Sequence, residues 1–408
     1  MDLLGIAPAA GPDWIGVLLR SAAVIVGLLL LWAAIMAAVG VMLVPRPSSQ
    51  RLALWVTRLC HTIFRAIAHR ARNYVQLDRL LAVQGPTTVL LYLTLFLGIF
   101  VLAFSFLFYG ATGCSPAAAF YRAGSGMSTL GMVDITGAPG FIAMFVAAFT
   151  GTTVVSVFIG FLLTLYTAYT ARETQMSKFA MTCGEPAWGP ELLVRMHALK
   201  VDWPPDAVEK SIDWLCGMRV SQYIYPLLNH FRSPVRDRHW AVTLLALLDA
   251  AALRLTTVAG GRNMDMVRLL AQGADTFHAL KMSEMSRTAG GESEGAMLTW
   301  AIEESLMAEA DGSPVPDPGI TRAEWDQAVD FMVAQGVEVV ADREAAWRAF
   351  CRVRRHYVEP AYFLTNHLSA INAPWSGPRH PAFEFPLVYP RIARKTFAPG
   401  AGAQVKIA

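Results

Sequence analysis

The sequence predicts an all-α membrane protein: three spanning helices, a short re-entrant helix followed by a polar loop, and a mostly helical domain outside the membrane. Three observations predict it. Of 408 residues, 54% are hydrophobic and 16% charged, where soluble domains carry roughly 25% charged residues. The charges are also unevenly placed. Between Leu80 and Ala171 the charged side chains are Arg122 and Asp134, whereas acids and bases are frequent from Arg172 onward. Finally, no stretch of useful length alternates apolar and polar residues as a half-buried strand would. The same composition excludes a disordered chain, which would be poor in apolar residues and rich in charge. Five cysteines spread from Cys60 to Cys351 do not make a disulfide framework.

The first spanning segment is predicted at about Ile15 to Val44, within an N-terminal unit of residues 1–44. Its apolar run exceeds the ~20 residues needed to cross the hydrocarbon, and Arg20 near its outer end can snorkel to the interface. The run is too long for a cleaved signal peptide, and acidic Asp2 and Asp13 stand where a basic region would be.

Residues 45–87 form a basic connector. Arg46, Arg51, Arg58, Arg65, Arg70, Arg72 and Arg79 stand there against Asp78 alone. The positive-inside rule places this connector in the cytoplasm, the N-terminus outside and the region after the third span in the cytoplasm. Leu52, Trp55, Val56, Leu59, Ile63, Phe64 and Ile67 recur close to helical spacing. That pattern predicts either an amphipathic helix on an anionic inner leaflet or a cytoplasmic extension of a spanning helix.

The second spanning segment is predicted at about Thr88 to Tyr109 and the third at about Phe141 to Tyr169, within a unit of residues 88–170. Between them, Ser115 is a good N-cap and Pro116 suits the first helical position. Residues from Ala117 to Arg122 can therefore form a helix too short to span. The Gly- and hydroxyl-rich stretch that follows has backbone that lipid cannot satisfy, so at membrane depth it must be buried in protein or line a cavity.

Residues 171–408 read as a helical cytoplasmic domain for regulation or assembly. Arg172–Gly189 reads as a linker. Helices are predicted at Pro190–Lys200, Asp206–Arg219, His239–Leu255, Met264–Ala271, Phe277–Met282 and Ala296–Ala308. Trp240, Leu244, Leu247, Leu248 and Leu255 are the predicted core face of His239–Leu255, which Asp249 and Arg254 mark as a membrane-touching or buried core helix and not a fourth span. Thr321 with Glu324 has the spacing of a capping box. Asp342 can cap a further helix, with a break around Pro360, and the Pro- and Gly-rich chain from Ala373 wraps the surface.

A short capped helix and a polar loop between two spans is the layout of an ion-channel pore loop, in which carbonyl and hydroxyl oxygens replace an ion's water. Ser128–Thr136, STLGMVDIT, resembles the selectivity-filter signature of two-helix potassium channels, Thr-Val-Gly-Tyr-Gly-Asp. Thr129 stands at the filter threonine, Leu130 at the valine and Gly131 at the first glycine. Met132 replaces the tyrosine, Val133 replaces the second glycine and Asp134 stands at the aspartate. Gly151, or alternatively Gly160, falls where that family often has a hinge glycine; helix–helix contact is the other reading of both. The HFRSP stretch and the LDAAAL helix resemble the C-terminal helical region of bacterial proteins of this family. The chain is thus similar to a bacterial two-pore-domain-like or two-helix potassium channel protein with a degenerate filter.

The resemblance implies a homotetrameric cation channel in the bacterial inner membrane, carrying a monovalent cation such as K+ with altered or lost potassium selectivity. The alternative is a non-conducting, pore-derived scaffold or sensor. A transporter fits less well, since there is no second membrane repeat. Val133 is β-branched and resists the left-handed backbone that a glycine accepts. Arg122 puts a positive charge in the half-helix, with Asp134 as the one countercharge in this membrane hairpin. Lipid is the expected partner, including anionic lipid along the connector.

The remaining chemistry-bearing residues make no site by spacing. No Gly-rich dinucleotide fingerprint is present. His61 and His69 can share a helix face, His230 and His239 flank a turn holding Arg232, Arg236 and Arg238, and Cys351 with His356 lacks an orienting group. That turn reads as a lipid or acidic-ligand contact, or as a solvated basic surface. No catalytic, cofactor or structural-metal residue is assigned, no enzyme activity is expected, and a net charge of +3 does not call for nucleic acid.

Overall fold

The computed structural model describes residues 13–42, 51–133, 137–201, 203, 205–260, 263–285, 295–308, 314–379 and 385–397. Asp134 and Arg46 therefore lie outside the described residues. The chain forms two compact units, one of residues 1–60 and 86–166 and the other of residues 61–85 and 167–408. Residues 45–87 are thus shared between the units.

The first unit holds α1 (Asp13–Met42), the first part of α2 (Arg51–Ala68), most of α4 (Gln84–Thr112), α5 (Pro116–Met127) and the first part of α6 (Ala138–Cys183). Three helical stretches are long and apolar enough to cross a membrane: Trp14–Met42, Tyr74–Thr112 and Ala138–Cys183. Their inward faces follow helical spacing. Phe96, Phe100, Phe104 and Phe108 recur every fourth residue along α4 and are buried, so they make one stripe. Phe100, Phe104 and Phe108 are packed with Ala34, Ala119, Ala123, Ala147 and Val154. The outward faces are equally apolar, with Trp32, Ile142, Phe145 and Phe149 exposed. α1 and α4 touch closely through small residues. A Cβ at Gly27 would lie 2.9 Å from Leu107, and one at Gly110 2.4 Å from Val24; such approach is how membrane helices gain packing.

The second unit is a helical domain. It contains α3 (Tyr74–Ala82), α7 (Gly189–Ala198), α8 (Pro205–Ile224), a short 3-10 helix (Pro226–His230), α9 (Trp240–Thr256), α10 (Met264–Glu284), α11 (Gly295–Met307), α12 (Arg322–Ala334), α13 (Arg343–Arg354), α14 (Val358–His367) and α15 (Arg391–Phe397). β-pairing among the described residues is one isolated antiparallel bridge, Val258–Val339. α9 is the hub. It is buried along most of its length and packs against α7, α10, α13 and α14. Trp240, Leu244, Leu247 and Leu248 are buried as expected, and Leu255 is partly buried against the same core.

Several boundaries differ from the sequence reading. The stretch read as a linker from Arg172 continues α6 to Cys183. Nothing between Gly160 and Gly184 breaks a helix, and the helix stops where Gly184 takes φ +81°, the left-handed position glycine fills at helix ends. The two pieces read at Met264–Ala271 and Phe277–Met282 are one helix, α10. Gly273 inside it is a contact glycine, since a Cβ there would meet Leu248 at 2.3 Å. The break read around Pro360 comes earlier, at Arg355–Tyr357, and Pro360 sits in the first turn of α14, where its missing N–H costs nothing. The Thr321–Glu324 capping box forms in full.

Candidate functional site

The candidate site lies between α4 and α6, within the first unit. α4 ends at Gly113, which takes φ +64° and whose bare Cα faces Arg20: a Cβ there would lie 2.5 Å from the guanidinium carbon. Arg20 thus places a positive charge where the α4 carbonyls end, the favourable sign for a helix C-terminus. α5 then starts as its sequence dictates. Ser115 Oγ accepts a hydrogen bond from the Ala118 N–H at 3.3 Å, and Pro116 occupies the first turn.

α5 has 12 residues, about 18 Å at 1.5 Å per residue, which is too short to span. One side packs on α6 through small residues. Ala119 and Ala123 are buried. A Cβ at Gly126 would lie 2.6 Å from the Met144 sulfur, and one at Gly151 2.1 Å from the Met127 carbonyl oxygen. Gly151 is therefore a contact glycine. Around Gly160 nothing lies within 4 Å of a Cβ.

The loop after α5 folds back onto the helix end. Ser125 anchors it: its carbonyl accepts from the Leu130 N–H at 3.1 Å, and its hydroxyl accepts from the Met132 N–H at 3.1 Å. The Thr129 N–H donates to the Gly126 carbonyl at 3.0 Å, while the Thr129 hydroxyl donates to the Ser128 carbonyl at 2.7 Å. Thr129 at φ +58° and Gly131 at φ +63° are both left-handed. For Gly131 that conformation is free of strain. For β-branched Thr129 it is an outlier of the kind found at functional sites. The Leu130 and Met132 side chains are exposed, and Val133 is half-buried.

Arg122 turns away from the loop. Its Nη1 donates to the Thr112 hydroxyl at 2.9 Å, and that hydroxyl donates to the Phe108 carbonyl at 2.7 Å. Its Nε is buried without a hydrogen-bond partner. The pairing with Asp134 falls on a residue outside the described set. Along α6 the hydroxyls of Thr152, Ser156 and Thr164 bond the carbonyls of the preceding turn.

Other residues singled out by sequence are placed differently. The basic turn is neutralised from within. Arg232 bonds Tyr74, Asp78 and the Leu368 and Ser369 carbonyls; Arg238 pairs with Glu185, and Arg236 with Asp237. Cys351 is buried, and burial pushes its thiol up to about 12, the reverse of what a nucleophile needs; His356 is engaged with Ser305. His239 caps α9, its Nδ1 accepting from the Ala241 N–H. His61 meets His230 and His367, a grouping that the sequence, with these residues more than a hundred positions apart, does not signal.

Comparison with family models, with curated proteins and with solved structures finds no match to the chain. The chain is an all-helical protein with three candidate membrane-spanning helices. Homology supports no specific potassium-channel family, and the resemblance rests on the loop residues and the order of the helices.

Proposed function

We propose that residues 88–170 form a channel-like membrane module, with α5 as a re-entrant pore helix and the loop after it facing an ion path. One such loop per chain calls for four chains around a common axis. Thr129, Leu130 and Gly131 then supply the oxygens that partly replace a monovalent cation's water, Met132, Val133 and Asp134 form the outer end, and α6 gates. The observation that carries this reading is a capped helix too short to span, set between two helices of spanning length and ended by a turn with two left-handed residues. Replacement of the usual tyrosine and glycine by Met132 and Val133 removes the standard outer carbonyl ring, so weak potassium selectivity is expected.

A second reading, a non-conducting scaffold or sensor with a pore-derived architecture, is favoured by the loop's own bonding. Ser125 holds the Leu130 and Met132 N–H groups, and the Thr129 hydroxyl turns to its neighbour's carbonyl. Reconstitution of the full chain into a planar bilayer, with reversal potentials measured across potassium, sodium and chloride gradients, separates the two. Cation current with little preference for potassium over sodium is expected. Absence of current at every voltage and pH, or a reversal following chloride, overturns the channel reading.

In the proposed orientation the N-terminus is outside a bacterial inner membrane and the helical domain is cytoplasmic. Cys216 is exposed, Cys114 is half-buried, and Cys60, Cys183 and Cys351 are buried, so Cys216 reports sidedness in a chain carrying Cys114→Ser. An impermeant maleimide applied to intact spheroplasts is expected to leave Cys216 unlabelled and to label it after permeabilisation. Labelling of Cys216 without permeabilisation reverses the topology.

A further inference from the structure

Four ionisable side chains from four elements meet inside the second unit: His61 on α2, His230 in the 3-10 helix, Glu284 at the end of α10 and His367 at the end of α14. Glu284 Oε2 lies 3.7 Å from His230 Nε2 and 3.5 Å from His367 Nε2. Its Oε1 accepts from Asn229 Nδ2 at 2.6 Å. The His61 ring centroid is 5.0 Å from that of His230 and 4.6 Å from that of His367. His61 Nδ1 stands 3.3 Å from the Gln84 amide nitrogen, while its Nε2 is buried without a hydrogen-bond partner. The side chains of His230 and Glu284 are 4% and 8% exposed, so water screens their contact little, while His61 and His367 are half-buried.

The charge count decides what such a cluster does. Three imidazoles face one carboxylate. Burial raises Glu284, but His230 and His367, and then the Asn229 hydrogen bond, outweigh it and hold the carboxyl down to about 2, so it can neutralise one imidazolium. A second proton adds a charge with no partner. The other charged groups acting on the cluster are of the same sign: Arg65 on α2 bears on His61, and Arg232 after the 3-10 helix bears on His230. On the α10 and α14 side, Lys281 is neutralised by Glu359 and lies over Phe363, which stacks on His367. Among the described residues no group of three or more His, Cys, Asp or Glu side chains is arranged to hold a metal ion.

We propose that this cluster is a proton-operated latch, in which neutral His61 docks the second half of α2 onto the 3-10 helix, α10 and α14, and a second proton releases it. The proposal stands whether or not the chain conducts ions. Its pH window follows from His61. Burial, then the neighbouring His230 and His367, lowers the docked imidazole from its ordinary 6.5 to about 3. A histidine whose value falls on docking favours the docked state above its free value and loses that preference as pH drops. The ratio of released to docked chain therefore rises up to tenfold per pH unit below about 6.5, levelling near pH 3.

Hydrogen exchange of the full chain in lipid nanodiscs, corrected for the chemical exchange rate, tests this on peptides covering residues 61–68. Protection there is expected to fall about tenfold between pH 6 and pH 5, with α9 unchanged as an internal reference. His61→Phe is expected to flatten that dependence; His61→Gln, which keeps an amide toward Gln84, is the second variant should the first misfold. Glu284→Gln is expected to move the loss of protection to higher pH, because the first proton is then already uncompensated. Protection that is constant from pH 7.5 to 5 in the unaltered chain, or an unchanged pH dependence in a folded His61 variant, overturns the latch.

Discussion

Replacing Asp249 with alanine is expected to destabilise the helical unit by about 3–5 kcal/mol and to make it protease-sensitive. Asp249 on α9 and Arg354 on α13 are both fully buried. The contact is bidentate: Arg354 Nε donates to Asp249 Oδ1 at 2.8 Å and Nη2 donates to Oδ2 at 2.9 Å. Arg354 also donates to the Pro318 and Trp375 carbonyls, and the Tyr357 hydroxyl donates to Asp249 Oδ1 at 3.0 Å. Every polar side-chain atom of the pair is thus engaged inside the core. The pair is weak evidence of net stability, because two charges have been taken out of water. Removing one partner is different, since a guanidinium is left buried with no countercharge.

The contrast is testable. Asp249→Ala with Arg354→Met, which deletes both charges, is expected to recover much of the loss. Thermal unfolding followed by tryptophan fluorescence measures both variants. A single variant as stable as the unaltered chain refutes the dependence of buried Arg354 on Asp249 as its countercharge.

The parts of the fold that were legible in the sequence are those set by local rules. Long uncharged runs marked α1, α4 and α6; Ser115–Pro116 and Thr321–Glu324 marked helix starts; a broad apolar surface marked α9 as a helix that touches the membrane or is buried in the core. What was not legible depended on partners remote in sequence. α10 read as two pieces, Met264–Ala271 and Phe277–Met282, and only the position of Leu248 shows why a glycine, Gly273, stands between them. The basic turn read as a lipid or acidic-ligand contact or as a solvated basic surface, because Asp78, Glu185 and the Leu368 carbonyl, which bond its arginines, are far along the chain. At the candidate site the sequence placed α5 and its cap. It did not show that Ser125 would hold the loop, or that Arg122 would turn to Thr112.

Replacing Gly151 with alanine is expected to damage the membrane unit, while the same change at Gly160 leaves it intact. The sequence treats the two alike, as glycines in an apolar helix. Their surroundings separate them. A Cβ on Gly151 would lie 2.1 Å from the Met127 carbonyl oxygen and 2.9–3.0 Å from two more backbone atoms of that residue. Those atoms belong to the last turn of α5, so no flexible side chain can move aside. Relief requires α5 and α6 to separate, which opens the packing of Ala123, Met127 and Ala147. Overpacking of this kind costs about 1–3 kcal/mol. At Gly160 nothing stands within 4 Å, and alanine improves helix propensity by up to about 1 kcal/mol. Melting temperatures in detergent are expected to fall for Gly151→Ala and to hold or rise for Gly160→Ala. If instead Gly151→Ala is as stable as the unaltered chain and only the current changes, Gly151 is a hinge and the α5–α6 seam is not what requires it. If Gly160→Ala changes the current without changing stability, the bend needed for gating lies at Gly160, one face of α6 being fixed to α5 and the next turns left free.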